Sequence, residues 1–180
     1  MIRSLKPNVT RDEALRMFRA TGLFSWLWRM RTGPLQRIAD AYVPFRLYRV
    51  RYALNKEAVQ RIFAMDAVDG SLDLFEFRTA PADGELVEVE TRNGLPSSLT
   101  EERALQILRD KALRIVFQQG FFKMREASLE IEALPGEFYL PYWLGFYGDS
   151  DALRCRVMDA VRRRPEGAKA SALFEQWLAA

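Results

Sequence analysis

The chain has 180 residues and a mass of 20.8 kDa, room for one large domain or two small ones. It is 49% hydrophobic and 28% charged, with 27 basic against 24 acidic residues, an ordinary globular composition that excludes a disordered, collagenous or coiled-coil protein. Histidine is absent and Cys155 is the one cysteine, which excludes a Ser-His-Asp triad, a Cys-His dyad, histidine-held metal and an intrachain disulfide.

Basicity is uneven. Residues 1–40 carry 8 basic and 3 acidic residues, 41–90 carry 6 and 9, and 91–180 carry 13 and 12. Charges at Arg3, Lys6, Arg11, Asp12 and Glu13 interrupt any apolar leader, and no window reads as a membrane span. A cytoplasmic location is expected, and a single thiol fits it.

Thr10 followed by Glu13 reads as a capping box that opens a helix with Ala14, Leu15 and Phe18 on one face, ended at Gly22. Strands are predicted at 23–31, 42–53 and 59–68, the last two joined by a turn at Asn55-Lys56-Glu57. After Asp69-Gly70, segments 72–78 and 85–91 are expected to form a hairpin across Pro81-Ala82-Asp83-Gly84. Residues 92–98 are expected to be a linker.

Thr100 caps a second helix, with Glu101 and Glu102 at its positive end. Its apolar stripe is Ala104, Leu105, Leu108, Ala112, Ile115 and Val116, and Gly120 follows. Residues 127–133 alternate as a half-buried strand, Leu134-Pro135-Gly136-Glu137 reads as a turn, and strands at 138–147 and 152–161 follow. A last helix runs from Ala168 to Leu178 with Leu173, Phe174, Trp177 and Leu178 as its apolar face.

The two halves share anchors in the same order. Thr10, Gly22-Leu23-Phe24, Tyr42-Val43-Pro44-Phe45 and Met65-Asp66-Ala67-Val68 correspond to Thr100, Gly120-Phe121-Phe122, Tyr139-Leu140-Pro141-Tyr142 and Met158-Asp159-Ala160-Val161. This predicts an α+β fold of two tandem helix-plus-antiparallel-meander repeats packed as a pseudo-dimer, with an extra C-terminal helix. The expected domains are 1–91, the 92–98 linker and 99–180. Each meander is expected to lie on its own repeat's helix.

A helix followed by a meander whose last strand ends in Val-Asp-Ala-x-x-Gly resembles the PepSY-like modules of bacterial proteins; here the match is Met65-Asp66-Ala67-Val68-Asp69-Gly70. The second copy, Met158-Asp159-Ala160-Val161, lacks the prompt glycine. The resemblance implies a module that binds or inhibits partners without catalysis. It also implies an extracytoplasmic setting, from which this chain departs in showing no export signal. It supplies no catalytic residue.

Candidate chemistry is sparse. Asp66 and Asp159 continue apolar rows of their strands, where a carboxylate is either a tuned acid or base or an acceptor for the backbone of the next turn. Cys155 lies on an apolar row and reads as a buried, inert thiol. Arg162-Arg163-Arg164 is the densest charge cluster and a candidate anion site. The stretch Phe24-Ser25-Trp26-Leu27-Trp28-Arg29-Met30-Arg31 sets aromatics beside arginines. No phosphate loop, cofactor motif or metal-ligand cluster is read.

Strands 138–147 and 42–52 are apolar on both faces, so both faces are expected to be covered. Tyr42, Tyr48, Tyr139, Trp143 and Tyr147 form the tyrosine-tryptophan rows and are the expected ligand or partner surface. The function expected is a non-catalytic binding module for a protein or small ligand, with a homodimer as one form. The alternatives are an enzyme using Asp66 and Asp159 on a small anionic substrate, and a peripheral membrane or nucleic-acid binder using the Arg-aromatic stretches.

Overall fold

A computed structural model describes residues 1–19, 33–54, 57–118, 129–148 and 154–180. The expected strand at 23–31, both Gly-aromatic anchors, the Phe24–Arg31 stretch and the turn at 149–151 lie outside the described residues. The chain is mixed α+β. Its strands are β1 (Ile2–Leu5), β2 (Leu35–Leu54), β3 (Glu57–Asp66), β4 (Phe75–Phe77), β5 (Leu86–Val89), β6 (Leu129–Tyr147), β7 (Arg154–Asp159) and β8 (Arg164–Pro165). Its helices are α1 (Arg11–Arg19), α2 (Glu101–Gln118) and α3 (Ala168–Ala179).

The helix starts follow the sequence rules. The Thr10 amide donates to Glu13 Oε2 at 2.9 Å and the Glu13 amide to Thr10 Oγ1 at 3.3 Å, the reciprocal capping box. The Arg103 amide donates to Thr100 Oγ1 at 3.4 Å at the start of α2. Helix α3 buries Ala170, Leu173 and Phe174, and Trp177 meets Phe174 edge to face, while Leu178 is exposed.

One expected turn and one expected hairpin are absent. β6 runs unbroken through 134–137, with Gly136 at φ +96, a value that only glycine adopts without strain. The expected hairpin between 72–78 and 85–91 does not form. β4 pairs with β3, with Phe77 opposite Ile62, and β5 neighbours β1 instead. Short segments of low alternation pair with whichever edge is open, and local sequence does not specify that edge. β2 starts at Leu35, earlier than expected.

The chain divides into two compact units, and neither is a continuous stretch. Unit one comprises Met1–Val43, Val87–Leu95 and Tyr139–Ala180; unit two comprises Pro44–Leu86 and Pro96–Phe138. β2 and β6 therefore each give one half to either unit. In unit two the neighbours run β4-β3-β2-β6. In unit one they run β2-β6-β1-β5, with β7 also on β6 and β8 on β7. Residues 92–98 are held by the fold: Tyr42 and Asn93 pair by backbone, Leu95 donates to the Tyr42 carbonyl, and Ser98 donates to the Ala67 carbonyl.

The cores correct one expectation. In unit one, Val9, Ala14 and Phe18 of the N-terminal segment and α1 pack with Tyr147, Met158 and Ala160 of β6 and the β7 end. In unit two, Ala104, Leu108 and Ala112 of α2 pack with Tyr48, Val50, Tyr52, Phe63 and Met65 of β2 and β3. Each helix packs mainly on strands of the other half of the chain, joined by Leu129 and Ile131 of β6 beside α2 and by Leu35 and Ile38 of β2 beside α1 from its own half. Hydrophobic periodicity shows that a helix has an apolar stripe; it does not say which sheet meets that stripe.

Phe18 sits directly on Gly145, where a Cβ would come within 2.9 Å of its ring. Gly145→Ala is therefore expected to destabilise unit one by about 1–3 kcal/mol through overpacking. Urea unfolding of the variant measures this, and an unchanged midpoint would count against the placement of α1.

Candidate functional site

Asp66 and Asp159 end β3 and β7 and are both fully buried. Asp66 sits opposite Phe45 and Asp159 opposite Tyr142. The residue after each donates back across the strand pair, Ala67 to the Pro44 carbonyl at 2.8 Å and Ala160 to the Pro141 carbonyl at 3.1 Å. The next strand contact also occurs twice: Ser98 donates to Ala67 and Asn8 to Ala160. The side chains of Ser98 and Asn8 then reach the carbonyls of Val68 and Val161.

The carboxylates hold their turns. Asp66 accepts from the amides of Asp69 (3.1 Å), Gly70 (2.8 Å) and Leu72 (2.9 Å). Burial pushes its pKa above the ordinary carboxylate value, and those three bonds pull against that without cancelling it. Asp159 accepts from the amides of Val161 and Arg162, both at 2.8 Å, and from the Arg162 Nε. The position six residues beyond Asp66 is Leu72, whose amide donates; six beyond Asp159 is Pro165, which has no N–H. The Arg162 guanidinium supplies the third bond in its place.

The arginine cluster is committed to carboxylates. Arg162 also reaches Glu166 at 3.2 Å, Arg164 reaches Glu166 at 3.4 Å, and Arg163 pairs with Glu13 of α1. Burial raises the pKa of Glu166 against the pull of Arg162 and Arg164. Arg163 has φ +58, where Gly70 has φ +72 at the corresponding place in the other turn. A left-handed non-glycine residue costs on the order of 1 kcal/mol, so the ion pair with Glu13 is made from a strained backbone.

The aromatic rows are mostly core. Tyr48 and Tyr147 are 1% and 5% exposed, and Tyr42 is also buried. The Tyr147 hydroxyl donates to the Phe18 carbonyl at 2.7 Å and the Trp143 indole N–H to the Val9 carbonyl at 2.9 Å, so both hold α1 and its approach. Tyr139 and Trp143 are half-buried and are the accessible members of the set. Burial pushes the Tyr42 hydroxyl up to about 12, with the charge of Asp40 adding to it. Burial likewise raises Tyr48 and Tyr147.

Cys155 is buried on β7, and burial with the nearby Glu175 charge pushes its thiol up to about 12. The thiolate is the reactive form, so native Cys155 is expected to resist maleimide at neutral pH, with labelling appearing only on unfolding. Cys155→Ser is expected to cost about 1 kcal/mol or somewhat more. Rapid labelling of the folded protein would contradict this placement.

Among the described residues each unit carries clefts of its own, one of about 390 Å³ in unit two lying beside Tyr48, Arg46 and Glu137. One of about 430 Å³ in unit one is bordered by Tyr147, Arg154, Cys155, Arg156, Glu166 and Ser171. One of about 780 Å³ in unit two runs along α2 past Arg103, Leu105, Gln106 and Arg109 to Leu129 and Ile131. The cleft along α2 was not anticipated from sequence, although Arg103, Gln106 and Arg109 share a face at helical spacing. Among the described residues no cluster of Cys, Asp and Glu is placed to hold a metal, and no helix is long and apolar enough to cross a membrane. No family model matches the chain, and no curated protein or solved structure matches it.

Proposed function

We propose that the chain is a non-catalytic binding module that arose by duplication, its two copies arranged as a pseudo-dimer in which each contributes its helix to the other's strands. The observation that carries the reading is the commitment of its candidate chemical groups to structure. Both buried aspartates accept backbone N–H bonds in their own turns. The three clustered arginines are each paired with a carboxylate. The thiol is held protonated by burial. General acid-base work needs a group within reach of substrate, and a carboxylate closed in by three donors offers it no free oxygen.

The duplication reading is supported by the matched hydrogen bonds of the two Asp turns, with Pro44 answering Pro141 and Asp66 answering Asp159. It is supported as well by the parallel bridges Tyr42–Gly94 and Tyr139–Ser4. The resemblance to PepSY-like modules points the same way. The half-buried Tyr139 and Trp143 are the part of the aromatic set that a protein or small-ligand partner can reach, Trp143 by its ring only, since its N–H is held by the Val9 carbonyl. A cytoplasmic location belongs to the same proposal.

The test is a turnover screen with generic ester, phosphate and glycoside substrates, run beside thermal melts with small anionic metabolites. No turnover above buffer is expected. Turnover that disappears in a folded Asp66→Asn or Asp159→Asn variant would overturn the reading in favour of an enzyme.

A further inference from the structure

We propose that the open edge of β6 in unit two, beside α2, takes an extended peptide from another protein as an added strand, one with apolar side chains facing α2 and basic side chains on the opposite face. In unit two β6 ends the strand order β4-β3-β2-β6. One side of β6 meets β2. Its other side meets β1 at Tyr139 and β7 from Tyr142 to Tyr147, and among the described residues no strand pairs there along 129–137. Backbone N–H and C=O groups along such an edge are a template for a further strand.

The space beside the edge has the shape of a strand. The 780 Å³ cleft lies between α2 and the start of β6, with Leu105, Leu129 and Ile131 as its apolar part. The 390 Å³ cleft meets the same strand from Ala133 to Glu137, with Glu101 of α2 on its helix side. The opening therefore follows the strand instead of closing round a compact ligand. Pro135 has no N–H and Gly136 has φ +96, so regular pairing is confined to 129–133, about 17 Å of strand. Main-chain bonds to that stretch give affinity, and alternate side chains entering the cleft give selectivity.

Charge chooses the occupant. Residues 129, 131 and 133 face α2, which leaves Glu130 and Glu132 on the opposite face of the sheet, both exposed. Glu132 is paired with Arg49 and Arg51, whereas Glu130 forms no ion pair among the described residues. A second copy of this chain fits badly: antiparallel pairing centred on Glu130, Ile131 or Glu132 sets glutamate against glutamate. A foreign strand with lysine at those places meets opposite charge. On the cleft side Glu102 stands with Arg103 and Arg109, so the apolar residues decide what enters there. The inference goes beyond the binding-module reading and stands without it, because an enzyme can carry such an edge.

The probe is a fluorescein-labelled heptapeptide, Thr-Val-Lys-Val-Lys-Val-Thr, titrated with the full-length protein and followed by anisotropy. It should bind, and a scrambled peptide of the same composition should not. Replacing both lysines by glutamate should weaken binding by up to about fivefold for each opposed pair, and Glu130→Lys, at an exposed position, should reverse that preference. N-methylation of the peptide at one set of alternate residues should lower affinity tenfold or more, and at the other set should leave it unchanged, because an added strand turns only every second N–H toward the edge. The proposal is overturned by no binding at 1 mM protein, by equal binding of the scrambled peptide, by equal effects of the two N-methylated sets, or by an unaltered charge preference in folded Glu130→Lys. A wild-type dimer whose amide exchange is slowed along 129–133 also overturns it, by placing a second copy on the edge.

Discussion

Replacing Arg162 by leucine is expected to destabilise the protein by about 3–5 kcal/mol, a cost typical of stranding a buried charge. Asp159 is fully buried, and its Oδ2 is held by the Arg162 Nε while its Oδ1 takes two amides. Without the guanidinium no backbone N–H can take over, since Pro165 stands where Leu72 donates in the other turn. The effect should be strongly non-additive. In an Asp159→Asn background the arginine keeps only its pair with Glu166, and its removal should cost less. Urea unfolding of the single and double variants measures the coupling. A coupling near zero would mean that the arginine faces solvent and is free to bind anions.

Asp66→Ala is expected to cost about 4 kcal/mol, because it leaves the amides of Asp69, Gly70 and Leu72 without their acceptor. Asp66→Asn keeps one oxygen but sets an amide NH2 against a donor, so it should cost less than alanine and still be clearly destabilising. The pH dependence has a definite sign. Burial raises the pKa of Asp66 in the fold above its value of 3.8 in the open chain. The folded state then binds the proton more readily. The stability contributed by this group is fully present below about 3.8 and is lost as pH rises through the higher folded value. The stability of wild type relative to Asp66→Asn should therefore decline on raising the pH through that window. A gap that widens with pH would contradict the assignment.

Much of this framework is legible in the sequence because it depends on local chemistry. The Thr10-Glu13 capping box, the stripe of α2 and the buried row of α3 each follow from residues within one or two turns. The role of the aspartates was legible as one of two alternatives, since a carboxylate at a strand end either titrates or holds the next turn. The partner choices were not legible. Nothing local says that Phe18 meets Gly145 or that Phe75–Phe77 pairs with β3, because those contacts are fixed by the whole packed sheet. Pro135-Gly136 looked like a turn, since glycine at positive φ marks turns far more often than it marks the middle of a long strand. The role of Arg162 could have been found by setting the two Asp-containing turns side by side, where proline stands in place of the residue whose amide is needed.

The account rests on each compact unit being assembled from both halves of the chain. The most direct measurement is to express residues 1–95 and 96–180 as separate chains, alone and together. Each core loses either its helix or most of its strands when a half is missing, so neither half should fold as a monomer. Together they should co-purify, recover the circular dichroism of the intact protein and unfold in one transition. Either half folding cooperatively on its own as a monomer would contradict the exchange of helices.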